Sequence, residues 1–133
     1  MQNLSLAKDY IKRAEIRLSA IQVLYDLESW ADVVRESQES IELALKSLLR
    51  TAGIEFPRIH DVSKILIAEV ARLPEALDIK DLAAISKDMR RDREISFYGS
   101  EDLTPSEFYD KNDAKSAFDS AKKVVKEVKP HVK

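Results

Sequence analysis

The chain has 133 residues, 44% of them hydrophobic and 35% charged, which predicts one folded domain spanning residues 1–133. Its 22 Lys and Arg nearly balance 24 Asp and Glu, which argues against a protein that coats nucleic acid through net charge. The chain has no cysteine, which excludes thiolate chemistry and a cysteine nucleophile. It has only two histidines, and we expect neither a metal nor a cofactor.

The chain shows no sign of membrane attachment. No apolar run approaches the roughly 18 residues of a membrane span, and the first residues lack the apolar core of a signal peptide. We therefore expect a cytoplasmic protein that does not contact a membrane. Few Asn and Gln beside many Glu, Lys and Arg are also typical of a thermophile.

Apolar residues recur every three or four positions, without the alternation that a strand requires. The first helix, of about 22 residues, has the clearest pattern. Its apolar stripe consists of Leu4, Ala7, Ile11, Ala14, Leu18, Ile21 and Tyr25. A short turn from Asp26 to Ser29 follows, and Ser29 with Asp32 is a candidate N-cap.

The second helix is predicted from about Trp30 to Ala52, with Gly53 as a left-handed C-terminal cap. Its apolar stripe consists of Trp30, Val33, Val34, Ile41, Ala44, Leu45, Leu48 and Leu49.

Three further helices are predicted after Gly53. The third has Asp61 as its N-cap and uses Val62, Ile65, Leu66 and Val70 before Pro74. The fourth starts near Asp78, carries Ile79, Leu82, Ile85 and Met89, and ends by Gly99. The fifth follows a capping box at Thr104-Pro105-Ser106-Glu107 and buries Phe108, Ala114, Ala117, Phe118, Ala121, Val124, Val125 and Val128. Helices of this length joined by short loops predict an all-α, up-and-down antiparallel bundle of about five helices.

The end of the fourth helix carries an unusual cluster of arginines. Arg93 lies about 40° around the helix from Met89, at the edge of the core-facing stripe, and an arginine there requires a carboxylate, a phosphate or a second subunit as its partner. Arg90 and Arg91 add two guanidinium groups within one turn, and Tyr98 adds a phenol at the helix end. The alternative is structural: Arg93 pairs with a nearby carboxylate and Tyr98 is a core aromatic residue.

Other polar residues are secondary candidates. His60 precedes the predicted cap Asp61 and either contacts a ligand or caps the carbonyls of the second helix. Lys46 is expected at the surface or an interface. Lysines near the C-terminus either meet phosphates or form the solvated side of an amphipathic helix; they are Lys122, Lys123, Lys126, Lys129 and Lys133.

The segment from Trp30 to Leu49 resembles the second helix of HEPN domains, which share its Ala, Arg and Glu positions and its Lys-x-Leu-Leu end. A glycine follows in both, and a His-Asp pair with aliphatic residues after it matches His60-Asp61-Val62. The resemblance extends over nearly the whole chain. It implies a helical bundle that commonly forms a homodimer, often of a small prokaryotic protein encoded beside a minimal nucleotidyltransferase.

The resemblance also implies a site near the end of the fourth helix. Some HEPN members cut RNA without metal through an Arg-x(4–6)-His motif, whereas this chain has Tyr98 after a gap of four residues from Arg93, or of six from Arg91. Tyrosine, with a pKa of about 10, is a poor general base beside histidine at about 6.5. We therefore favour a nucleotide- or RNA-phosphate-binding module. The alternatives are a metal-independent ribonuclease with a substituted motif and a structural homodimeric interaction bundle.

Overall fold

A computed structural model of the chain describes the backbone of residues 4–98 and 104–132, and their side chains except those of 90–98. Within these ranges the chain forms α-helices and no strand, which confirms the prediction of an all-α fold. The helices are α1 (Leu4–Asp26), α2 (Trp30–Thr51), α3 (Ser63–Ala68), α4 (Ile79–Tyr98), α5 (Pro105–Phe108) and α6 (Lys111–Val128). None of them combines the length and apolar character needed to cross a membrane.

The centre of the bundle is α2, which packs against α1, α4 and α6. Two buried serines of α2 show that it runs antiparallel to α1: the Ser40 hydroxyl donates to the Ala14 carbonyl at 3.0 Å, and the Ser47 hydroxyl donates to the Ala7 carbonyl at 2.6 Å. Each bond satisfies a hydroxyl that would otherwise be buried without a partner. The prediction of an up-and-down arrangement therefore rests here on hydrogen bonds as well as on packing.

The predicted apolar stripe of α2 forms most of the central core. Ile41, Leu45, Leu48 and Leu49 are buried almost completely, and each contributes about 1.5–3 kcal/mol relative to an exposed position. Side chains from α3, α4 and α6 and from the loop before α3 complete this cluster; they are Val62, Leu66, Leu82, Val124, Val125 and Val128. The core thus lies between α2 and the three later helices, with α1 closing one side.

The end of α2 agrees with its prediction. Gly53 has φ of 72°, in the left-handed region where a side chain would clash. Its N–H donates to the Arg50 carbonyl, and the N–H of Ile54 donates to the Leu49 carbonyl, as in a Schellman cap. Gly53 therefore ends α2 and turns the chain into the loop that carries His60.

Two predicted caps differ from the structure. Ser29 is the N-cap residue of α2, as predicted, but its hydroxyl donates to the Asp32 carboxylate at 2.6 Å and accepts from no backbone N–H of the helix. The N-cap of α3 is Val62 rather than Asp61, although the Asp61 carboxylate accepts the Ser63 N–H at 2.9 Å. Both side chains bond locally, but not in the capping geometry that the sequence predicted.

The predicted third and fifth helices are each divided. Val70 lies beyond α3 in a short 3₁₀ turn and is 51% exposed. The fifth helix is two helices, because the Asp110 carboxylate accepts the Asp113 N–H and restarts the chain as α6. Phe108, predicted to be buried, is 41% exposed, and the neighbouring Tyr109 is buried instead.

Candidate functional site

Helix α4 carries the predicted phosphate-binding residues. It continues without interruption from Ile79 to Tyr98, and its core-facing positions include Leu82, Ser86 and Met89. Arg93 follows Ser86 by two helical turns, so its backbone position shares that face of the helix. The side chains of Arg90, Arg91, Arg93 and Tyr98, like the whole of Gly99, lie outside the described residues.

Ser86 fastens the loop after α2 to this face of α4. The Val62 N–H donates to the Ser86 hydroxyl at 3.0 Å, and that hydroxyl donates to the Asp61 carboxylate at 3.1 Å. Ser86 is 4% exposed and Val62 is fully buried, so the bond between them forms away from water and is costly to break. The bond from Ser86 to Asp61 is partly buried. The backbone at Asp61 is thereby held near α4, and Arg93 is about 10 Å further along the helix axis.

Of the two secondary candidates, His60 and Lys46, His60 has the more exposed side chain. Its Nδ1 lies 2.7 Å from Glu42 Oε1, and its side chain is 53% exposed. Among the described side chains and backbone groups, Nε2 of the same ring has no hydrogen-bond partner. One edge of the ring is therefore anchored to α2, while the other is available to a ligand.

Lys46 is held by the same carboxylate as His60. Its ammonium donates to Glu42 Oε2 at 3.0 Å and lies 5.7 Å from the centre of the Phe56 ring. The Lys46 side chain is only 14% exposed, so it is a largely buried and paired lysine rather than a surface one. The two secondary residues are thus brought together, and Lys46 serves to hold Glu42 in place.

Sequence reasoning did not single out Glu42. The Glu42–Lys46 spacing of four along a helix is a known signal for an ion pair. The contact between His60 and Glu42 has no such signal, because 18 residues and a loop separate them. Only the fold brings the histidine back to the middle of α2.

The adjoining edge of α2 is electrically balanced. Arg35 is paired with Glu39 in the preceding turns, and Lys46 is paired with Glu42. The two positive charges of these pairs therefore equal their two negative charges. Such an edge does not attract an anion by its net charge. An anion at this end of the bundle needs additional cations, and the sequence of α4 supplies arginines.

The loop that carries His60 is fixed at its start. Arg72 donates to the carbonyls of Ala52 and Gly53 at 3.3 and 3.2 Å, at the C-terminal end of α2. The Arg50 guanidinium lies 5.0 Å from the Phe56 ring centre, within the range of a cation–π contact. The loop therefore has attachments at its beginning and, through Ser86, at its end.

The C-terminal lysines fit the solvated-face interpretation. Lys123 donates to Asp81 at 2.6 Å and Lys129 donates to Glu15 at 2.6 Å; Lys122 lies 3.9 Å from Asp119. The hydrogen bond and charge of Asp81 raise the pKa of Lys123 above its ordinary value. Lys123 and Lys129 are each paired with a carboxylate, whereas Lys122 shares Asp119 with Lys115. Lys133 lies outside the described residues.

Comparisons with known proteins agree with this fold. The family model for the HEPN domain matches residues 7–131. A Methanocaldococcus jannaschii protein named "Putative toxin MJ1304" is 31% identical over 139 residues, which cover 98% of this chain and 91% of that protein.

Two solved structures have the same architecture. TT1696 from Thermus thermophilus is 24% identical, with a TM-score of 0.76 over 94% of this chain and 97% of its own. ST0689, described as an archaeal HEPN homologue, is 25% identical, with a TM-score of 0.72 over the full length of both chains. The likeness to TT1696 is one of fold alone.

Proposed function

Because the chain belongs to the HEPN domain family, we propose that it is a homodimeric module that binds the phosphate of a nucleotide or RNA. The binding residues would be Arg93 and Tyr98, with Arg90 or Arg91 as a second cation and His60 at the edge. The module would act with a nucleotidyltransferase partner in a toxin–antitoxin-like system. The name of the M. jannaschii relative supports the toxin assignment.

The observation that carries the phosphate site is the attachment of the His60–Asp61 loop to α4 at Ser86. Ser86 holds Asp61 and Val62 against α4, and the position of Arg93 follows two helical turns after Ser86. The neighbouring His60 ring is half-exposed and contacts Glu42 of α2. A planar guanidinium binds two phosphate oxygens at once. A phenol at the helix end adds a hydrogen bond or a surface on which a base stacks.

Calorimetry at low salt with ATP, and fluorescence anisotropy with a labelled single-stranded RNA, test the site. We expect Arg93→Ala to weaken binding at least about tenfold, which corresponds to about 1.4 kcal/mol. Lys87→Ala is the matched control, because Lys87 is an exposed cation on the same helix and its loss changes the net charge equally. Equal binding by the two variants would remove Arg93 from the site.

The partner is tested separately from the ligand. The gene next to this one should encode a minimal nucleotidyltransferase, and its purified product should form a complex with this chain in size-exclusion chromatography. A neighbouring gene of another class would contradict the partner assignment without affecting the phosphate site.

The toxin name of the relative also favours a second candidate, a metal-independent ribonuclease. Incubation of the pure protein with single-stranded RNA in EDTA separates the two functions. Cleavage that disappears in Arg93→Ala would support the nuclease, since an arginine stabilises the developing phosphorane charge. Intact RNA together with measurable affinity would support the binding module, as we expect for a motif with tyrosine in place of histidine.

A further inference from the structure

Arg50, in the last turn of α2, has no carboxylate partner in the part of the chain that the structure describes. The other two cations of this helix, Arg35 and Lys46, are each paired with a glutamate one turn away. All three side chains are partly buried, and a partly buried guanidinium keeps its positive charge and gains from a counter-anion. Arg50 is therefore a candidate contact for an anion that comes from outside the chain.

Two aromatic rings hold the Arg50 guanidinium in place. Its Cζ lies 5.3 Å from the centre of the Tyr10 ring and 5.0 Å from the centre of the Phe56 ring, both within the range of a cation–π contact. Of its three nitrogens, Nε alone is fully buried, and neither Nη1 nor Nη2 has a hydrogen-bond partner among the described groups. The stacked guanidinium thus keeps its two terminal nitrogens available as a preorganised fork, the geometry that binds two oxygens of a phosphate.

Arg50 is the last member of a polar stripe along α2. The members recur every three or four positions and fall within about 80° around the helix; they are Arg35, Glu39, Glu42, Lys46 and Arg50. His60 contacts the middle of this stripe through Glu42. Arg50 lies eight residues after Glu42, which is about 12 Å further along the helix axis.

The arginines of α4 lie on the other side of His60 from Arg50. Arg72 bonds the carbonyls at the C-terminal end of α2, so α4, which begins at Ile79 soon after, starts near that end and runs back along α2. The position of Arg93 is therefore roughly 20 Å from Arg50 along the bundle. One nucleotide is shorter than this distance, whereas an RNA strand of several nucleotides covers it.

We propose that Arg50 is a second phosphate contact, which a single-stranded RNA reaches from the α4 site by lying along the α2 stripe. The inference rests on the proposed function, since it takes RNA as the ligand, and it adds a residue that favours a strand over a free nucleotide. The paired charges between the two ends cancel, so the affinity comes from the cations at the ends. Tyr10 and Phe56 are partly exposed beside the guanidinium, as are the aromatic residues on which bases stack in single-strand binding sites.

Fluorescence anisotropy with a labelled RNA of about ten nucleotides, and calorimetry with ATP, test this contact. We expect Arg50→Ala to weaken RNA binding at least about fivefold and to leave the affinity for ATP unchanged. The plot of log affinity against log salt concentration should become shallower by about 0.7, the value for one lost contact to a single strand.

The matched control is Lys8→Ala, which removes an exposed cation of α1. Lys8 is two positions from Tyr10 and therefore lies on another side of that helix. Equal RNA affinities of Arg50→Ala and Lys8→Ala would overturn the proposal. Equal losses for ATP and RNA in Arg50→Ala would also overturn it, because a second contact on the strand does not reach ATP.

Two conservative variants decide the question even where Arg50→Ala fails to fold. Arg50→Lys keeps the positive charge that favours the C-terminal end of a helix but lacks the planar fork, and Phe56→Leu keeps an apolar side chain but lacks the ring. We expect each to lower the RNA affinity severalfold while the urea midpoint changes little. Unchanged RNA affinity in both variants would overturn the proposal.

Strand length has its own test. The RNA affinity of the unmodified protein should rise from a dinucleotide to the longer strand, and this rise should be smaller in Arg50→Ala because the far phosphate loses its contact. An equal rise in the two proteins would contradict a contact at Arg50.

Failure of the Arg50 contact differs from failure of the α4 site. Arg93→Ala should weaken the binding of both ATP and RNA, whereas Arg50→Ala should weaken that of RNA alone. An effect of Arg93→Ala without one of Arg50→Ala would overturn the second contact and leave the proposed function intact. An effect of Arg50→Ala on RNA without one of Arg93→Ala would contradict the α4 site and support the contact on α2.

Discussion

Nδ1 of His60 lies 2.7 Å from Oε1 of Glu42, so the loop after α2 returns to the middle of the helix that it has just left. The other oxygen of the same carboxylate accepts from Lys46 at 3.0 Å. One carboxylate thus joins a half-exposed histidine to a largely buried lysine. The arrangement fixes one edge of the His60 ring and leaves the other toward solvent.

Removal of the Glu42 carboxylate should destabilise the protein, because it leaves the Lys46 ammonium largely buried without its anionic partner. We expect Glu42→Ala to lower the free energy of unfolding by about 1–3 kcal/mol, less than for a fully buried pair since both side chains retain some exposure. Urea denaturation followed by circular dichroism measures this change.

The control for Glu42→Ala is Asp119→Ala, which breaks the exposed Lys115–Asp119 pair at the same helical spacing. Exposed pairs contribute little, so Asp119→Ala should leave the urea midpoint nearly unchanged. Equal losses in the two variants would show that the burial of Lys46 has no energetic consequence.

Ser86→Ala should release the loop that carries His60. The substitution leaves the buried Val62 N–H without its acceptor and removes the hydroxyl that donates to Asp61. A buried unsatisfied N–H costs about 1–3 kcal/mol, and amide hydrogen exchange at Val62 should accelerate more than exchange within α2. Ser106→Ala is the control, since Ser106 is exposed on α5. Unchanged protection at Val62 would contradict the role of Ser86 as a clamp.

Gly53→Ala should destabilise the end of α2. The residue has φ of 72°, and an alanine in the left-handed region costs roughly 1–2 kcal/mol. Ala52→Gly, at the preceding position with φ of −80°, separates this conformational effect from the general consequence of exchanging alanine and glycine. Thermal unfolding should show the larger decrease for Gly53→Ala; the reverse order would contradict the assignment of Gly53 as the cap.

The long helices were predictable because each buries one continuous face. The three- and four-residue spacing in α2 identifies residues such as Leu45 and Leu48 without reference to any other helix. The division of the predicted fifth helix was harder to predict from the sequence. Asp110 is one of many acidic residues, and its capping role depends on the local backbone. Val70 likewise continues the spacing of α3, although the chain has left the α-helix there.

Only the part of the candidate site that lies along a single helix, α4, could be predicted from the sequence. The placement of Arg93 on the Leu82–Ser86 face depends on helical register, and the helix does extend through that position. The partnership of His60 with Glu42, and of Ser86 with Asp61, depends on how a loop folds back across two helices. Periodicity carries no information about such contacts, so Glu42 and Ser86 emerge from the structure alone.

Arg93→Glu separates the phosphate site from the structural alternative, in which the arginines of α4 close the dimer through ion pairs between subunits. In the phosphate-site interpretation, we expect Arg93→Glu to remain a dimer in sedimentation velocity while losing at least about tenfold in affinity for ATP or RNA, because the cation that binds the phosphate becomes an anion. In the structural alternative the same substitution places a carboxylate where a guanidinium met an acidic partner, so the dimer dissociates, and neither the unmodified protein nor the variant binds a nucleotide. Lys87→Glu controls for the charge change on α4 and should alter neither property. A monomeric Arg93→Glu chain beside a dimeric Lys87→Glu chain would assign the arginines to the dimer interface and contradict the phosphate site.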